Sequence, residues 1–211
     1  MAVRCTPCSS LGLLGAVLAG AFLLSGCVQT GMVPAQQLDS GTTVAAASVD
    51  EPGFLYIPRA NVQLTQGVGG GDLSVNLSGP PVGGGLTARA YLSERVNAEL
   101  QAQAAALNGA GEPGTGLVLV GVQEAPTGAD QWYLGGQFGI VHGAGFVVNQ
   151  APEVQTRPVV GGSVGFGPID LGGAWRMQVE LEGNAPLGGL GEDDPPLPAT
   201  RLSIGFFRLF R

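Results

Sequence analysis

A two-residue period of hydrophobicity limits this chain more than any other feature. From Gly53 onward, short stretches alternate apolar and polar residues, separated by clusters of Gly, Pro, Asn and Asp. Successive side chains of a β-strand point to opposite faces, so each stretch reads as a strand with two chemically different sides. The clearest spans 173–183, with Trp175, Met177, Val179 and Leu181 on one face and Arg176, Gln178, Glu180 and Glu182 on the other. In 158–167, Val160, Val164 and Phe166 oppose Val159, Gly161, Ser163, Gly165 and Gly167. In 131–142, Trp132, Leu134, Phe138 and Ile140 oppose Gln131, Tyr133, Gly135, Gln137 and Gly139. The closing segment sets Leu202, Ile204 and Phe206 against Arg201, Ser203 and Gly205.

Weaker alternation covers 54–65 and 84–92, and 116–124 is a strand whose facing the pattern leaves open. Segment 95–107 is rich in helix formers. Its Asn97, Glu99, Gln101 and Gln103 nevertheless recur at every second position, so we read a strand. The expectation is an all-β, antiparallel up-and-down barrel of about eight strands, each near the length that crosses a bilayer at a tilt. Asp72–Ser78 also alternates, and reads either as a loop hairpin or as extra strands that would make about ten.

Alternation alone does not say which face meets which medium. A lipid-anchored periplasmic calyx or sandwich binding a small apolar ligand would turn the apolar set inward, whereas a membrane barrel would turn it toward lipid. Composition favours the membrane barrel. Only 12% of residues are charged, and all nine basic residues are Arg. Soluble edge strands commonly use Lys as a guard against aggregation, and this chain has none. Its 37 Gly, many on the polar faces beside Ser, suit a narrow lumen better than a solvated exterior. Trp132, Tyr133, Trp175, Phe206, Phe207 and Phe210 fall near strand ends, as in interfacial girdles. Connections alternate long and short: 66–83, 93–95, 108–115, 125–130, 143–157, 168–172 and 184–199.

Ahead of this body, Arg4 and the apolar run Leu11–Leu24 read as an export signal. The run ends in Leu24-Ser25-Gly26-Cys27, which resembles the lipobox of bacterial lipoproteins. That resemblance implies removal of residues 1–26, diacylation of Cys27, with palmitate as the expected lipid, and, with Val28 next, sorting to the bacterial outer membrane. Cys5 and Cys8 would be lost with the leader. Residues 27–52 have no sustained period and read as a lipidated flexible tether, leaving 53–211 as the barrel domain.

The body resembles the small eight-stranded outer-membrane barrels of the opacity-adhesin type. The resemblance is carried by the Gly-rich strand, the Pro168-Ile169-Asp170 turn and the Trp-Arg-Met-Gln-Val-Glu-Leu-Glu strand within 158–183. It implies an outer-membrane protein with a structural or surface-interaction role through its long loops, in contact with outer-membrane lipid and with surface or envelope proteins. The chain departs from that family in ending with Arg211 after Phe210.

The remaining motifs point away from chemistry. Arg59, Arg89, Arg176 and Arg201 share the expected lumen face with Glu99, Glu180 and Glu182, where a small bore requires charges to pair. We read these as lumen ion pairs. His142 stands alone: His142-Gly143-Ala144 has no Ser for a nucleophile and base pair, so no catalytic residue is expected and the chain is read as no enzyme. Glu192-Asp193-Asp194 lacks the alternating carboxylates of a calcium loop. Gly69–Gly71 and Gly83–Gly85 are followed by no Lys and no helix, so they read as flexible loop rather than phosphate cradles. No metal and no cofactor is expected. Without Arg4 the chain carries a net charge of 8 − 16 = −8, which excludes nucleic acid as a partner.

Overall fold

The computed structural model describes residues 34–52, 59–79, 82–105, 115–126, 131–144, 154–187 and 199–210. The leader and Cys27 lie outside them. Ten strands form: β1 (Thr43–Pro52), β2 (Arg59–Gly67), β3 (Gly71–Gly79), β4 (Gly83–Ser93), β5 (Val96–Ala105), β6 (Thr115–Glu124), β7 (Trp132–Ala144), β8 (Val154–Gly172), β9 (Trp175–Pro186) and β10 (Ala199–Phe210). Each pairs antiparallel with its neighbours in sequence, and β1 pairs with β10 from Thr43↔Phe210 to Pro52↔Arg201, which closes the barrel. Closure leaves no strand edge exposed, so the wall needs no Lys guards.

The barrel is the expected all-β up-and-down form with ten strands instead of eight. One addition comes from the segment read as tether, the other from the stretch left open between a loop hairpin and extra strands. β1 falls within 27–52, so the barrel begins at Thr43 and not at 53. β3 contains the alternating stretch Asp72–Ser78 and divides the expected long loop 66–83 into two tight connections. Val44, Ala46, Ser48 and Asp50 do alternate with Ala45, Ala47 and Val49. Small residues make that contrast faint in sequence, and cross-strand pairing on both sides supplies what local hydrophobicity does not.

Strands β1 and β10 define a near end, where the chain enters at 34–42 and leaves at Phe210. Connections 68–70, 94–95 and 173–174 at this end are tight, and 125–131 is longer. Gly69 and Gly70 make the first, at φ 75° and 72°, a region L side chains rarely adopt. The far end carries 53–58, 80–82, 106–114, 145–153 and 187–198. The turn expected at 168–172 lies instead at 173–174, because β8 continues to Gly172 through a register shift between Phe166 and Ile169. Pro168 sits in that irregularity, where a missing N–H costs no ladder bond. Gly83–Gly85, expected as loop, opens β4. Gly85 is there because the Gln103 carboxamide fills the space its side chain would need.

The wall is inverted relative to a water-soluble protein. Leu77, Leu86, Val120, Leu134, Phe138 and Ile204 lie exposed on the outside, with Leu77 at 63%. Trp175, Met177, Val179 and Leu181 face outward together, while Gln178, Glu180 and Glu182 are buried inside. Asn61, Gln63, Thr65, Asp72, Ser74, Asn76, Thr87, Asn97 and Gln101 are likewise buried. The calyx arrangement, with apolar faces inward, is therefore not what forms. Strand β6 splits by parity, with Val118, Val120 and Val122 outside and Leu117 and Leu119 inside against Val159. Tyr133 and Phe207, expected among the girdle aromatics, also point inward and are almost fully buried.

Candidate functional site

The bore is the chemically distinctive part of the molecule, and two hydrogen-bonded ion clusters occupy opposite walls. On β7, β9 and β10, the Arg201 guanidinium contacts Glu180 at 2.7 Å and Glu182 at 2.6 Å. Tyr133 donates its hydroxyl to Glu180 Oε2 at 2.8 Å and accepts from Gln178 Nε2 at 2.5 Å. Gln137 and Asn184 each donate to Glu182 Oε1 at 2.7 Å. All four of Glu180, Glu182, Gln178 and Arg201 are buried, so the cluster satisfies charges that would be costly alone.

Across the bore, Arg89 on β4 grips Asp72 on β3 through Nε and Nη2, the latter at 2.6 Å. Tyr91 donates to the same carboxylate at 2.5 Å. The alternation responsible is simple: Thr87, Arg89 and Tyr91 are successive inward positions of β4, and Asp72 is the register partner of Arg89. Toward the far end, near Arg201 rather than Arg89, Asp50 accepts from Asn61 and from Ser48.

Of the residues the sequence assigned to lumen ion pairs, Arg89, Glu180, Glu182 and Arg201 enter these clusters. Glu99 faces inward from β5 and accepts from Gln101 at 3.1 Å. Arg176 sits at the near-end rim, paired with Asp170 at 3.0 Å where the carboxylate is largely exposed, and takes no part in the bore. Arg59 opens β2 opposite Asp50, and its side chain lies outside those described. Asp50 was missed because it stood in the segment read as tether, and Asp72 because its stretch was left open between a loop hairpin and extra strands. Their parity with Ser74 and with Ser48 was the available signal.

His142 is exposed near the far end of β7, hydrogen-bonded to Thr156 of β8 at 2.7 Å. Among the described residues no group of three or more His, Cys, Asp or Glu could hold a metal ion. Glu192-Asp193-Asp194 lies outside them.

A third element was not anticipated. Residues 35–38 run across the near-end mouth: the Ala35 N–H donates to Gln178 Oε1 at 2.9 Å, and the Leu38 N–H donates to the Tyr91 hydroxyl at 2.7 Å. Gln37 Nε2 donates to Ser93 O at 2.6 Å and to Asn97 Oδ1 at 2.8 Å. Ala35 and Leu38 are buried, and Leu38 packs on Val44 and Phe207.

Fold and bore together define a closed antiparallel β-barrel with an apolar exterior and a polar, ion-paired interior. No family model and no curated protein matches the chain. Among solved structures it is similar to the crystal structure of the N-terminal β-barrel domain of Pseudomonas aeruginosa OprF, with a TM-score of 0.39 and 9% identity, covering 81% of this chain and 98% of that chain.

Proposed function

We propose that this chain is a bacterial outer-membrane lipoprotein, held by a lipid on Cys27, whose barrel spans the bilayer and serves as a structural or surface-interaction module. The observation that carries the proposal is the inverted wall. Hydrocarbon accepts Leu77, Leu86, Val120, Leu134 and Phe138 on the outside, and a closed barrel pairs its strands all the way round, so that backbone groups bond within the wall as a membrane requires. Outward-facing aromatics gather at the near end, with Trp132 on Phe166 at 4.9 Å between centroids and Arg208 over the rings of Trp175 and Phe210. Such residues suit a membrane–water interface, where an apolar ring and a cationic tip reach different media.

The near end, where residues 34–42 enter, then faces the periplasm, on the side from which a lipidated Cys27 would approach. The longer far-end connections face outward and are the surface available to envelope or surface partners. No catalytic role is proposed: the bore groups bind one another, and His142 has Thr156 for a partner.

The test is expression of the chain without residues 1–27. The membrane proposal expects a product that needs detergent, resists carbonate extraction when inserted, and migrates differently on gels before and after heating. A product freely soluble in buffer contradicts it.

A further inference from the structure

We propose that residues 34–38 are a built-in plug, and that behind it lies a hydrated, cation-preferring passage which opens when the plug leaves. The proposal rests on the membrane setting above. Its geometric basis is the span of the plug. Gln178 is on β9 and Tyr91 on β4, and in the ring order these strands stand five places apart in either direction. A segment bonded to both crosses the bore along a diameter. Gln37 adds two bonds at β4 and β5, and Leu38 fills the near-end apolar patch with Val44 and Phe207.

The plug is tied to both ion clusters. Gln178, which accepts from Ala35, donates to Tyr133 and through it reaches Glu180. Tyr91, which accepts from Leu38, donates to Asp72, the partner of Arg89. Arg89 Nη2 also lies 3.5 Å from the Gln36 carbonyl. Side-chain groups, not ladder bonds, hold the segment, so it can leave while the wall persists.

Behind the plug, Asn76 Oδ1, Gln101 Oε1, Gln103 Nε2 and Ser203 Oγ are buried without a partner among the described residues. Buried polar atoms that no protein group reaches are satisfied by water, so this stretch of bore is wet. A ten-stranded barrel is also about a quarter wider than one of eight, since diameter grows roughly with strand number. Among the described residues the acids facing the bore are Asp50, Asp72, Glu99, Glu180 and Glu182, against Arg89, Arg201 and, toward the far end, Arg157. That excess favours cations over anions.

The experiment compares the full chain with two variants in planar bilayers: deletion of residues 34–38, and the double substitution Gln37→Ala, Tyr91→Phe, which loosens the plug and keeps the chain length. Folding of each is checked by heat-modifiable migration, and insertion by flotation with phospholipid vesicles. The full chain is expected to be silent, and both variants to show small conductance steps with several-fold preference for potassium over chloride. In parallel, a thiol at position 38 (Leu38→Cys) should label slowly in the otherwise intact chain and many-fold faster beside the double substitution. Folded, floated variants as silent as the full chain, or a full chain that conducts equally, overturn the passage. Fast labelling in the intact background overturns the plug. Failure to float overturns the membrane setting, and with it the conduction, while the labelling still decides whether 34–38 seal the mouth.

Discussion

The ring of Tyr133 lies over the backbone of Gly165, its register partner across β7 and β8, so that a Cβ at position 165 would fall on the ring carbons and the hydroxyl. This close approach sets where the Tyr133 hydroxyl ends, between Glu180 and Gln178. Gly165→Val should push the ring aside, at an overpacking cost of about 1–3 kcal/mol. Tyr133→Phe removes two buried hydrogen bonds, to Glu180 and from Gln178, and should cost about as much, roughly 1–3 kcal/mol. Urea unfolding in detergent micelles checks both, and an unchanged midpoint for Gly165→Val contradicts the packing described.

Arg201 contacts both Glu180 and Glu182, and all three are buried. Replacing Arg201 with Met takes its guanidinium away from two buried carboxylates and should destabilise the barrel by about 3–5 kcal/mol. Adding Glu180→Gln and Glu182→Gln to Arg201→Met should recover part of that loss. A triple variant no more stable than Arg201→Met would show that the cluster does not act as a unit.

Outward positions of one strand should respond to charge according to their depth in the bilayer. Val120 is exposed near the middle of β6, and Val120→Arg should cost about 2–4 kcal/mol in a bilayer at midplane depth. At Glu124, the last residue of the same strand on the near end, Glu124→Arg should change stability little. A neutral Val120→Arg is what a water-exposed wall would give.

Cys27 should be the one site of acylation. Labelled palmitate fed to expressing cells is expected in the full chain and absent from Cys27→Ser, which should accumulate with its leader attached. Equal labelling of both would refute the lipobox assignment.

Strand positions in which large apolar residues alternate with charged or amide ones were legible from sequence, which is why β5 and β9 and their inward residues Glu99, Glu180 and Glu182 stood out. β1 was not, because its alternation sets Ala45 and Ala47 against Ala46 and Ser48, which differ too little in hydrophobicity. Its strand state is decided by pairing with β2 and β10, a nonlocal relation. The same applies to 35–38: no period marks the segment, and its place is set by Gln178 and Tyr91, distant in sequence. Arg176 misled through parity, since a side chain on the lumen face at a strand's first turn reaches the rim and finds Asp170.

Both tryptophans of the chain, Trp132 and Trp175, sit on the outer surface at the near end, so intrinsic fluorescence reports the medium around the wall. The decisive measurement is quenching of that fluorescence by phospholipids brominated at shallow or deep acyl positions, in vesicles carrying the folded barrel. Lipid surrounding the wall predicts strong quenching, greater for the shallow label than for the deep one. No quenching by either, with full quenching by aqueous iodide, would mean that water surrounds the wall.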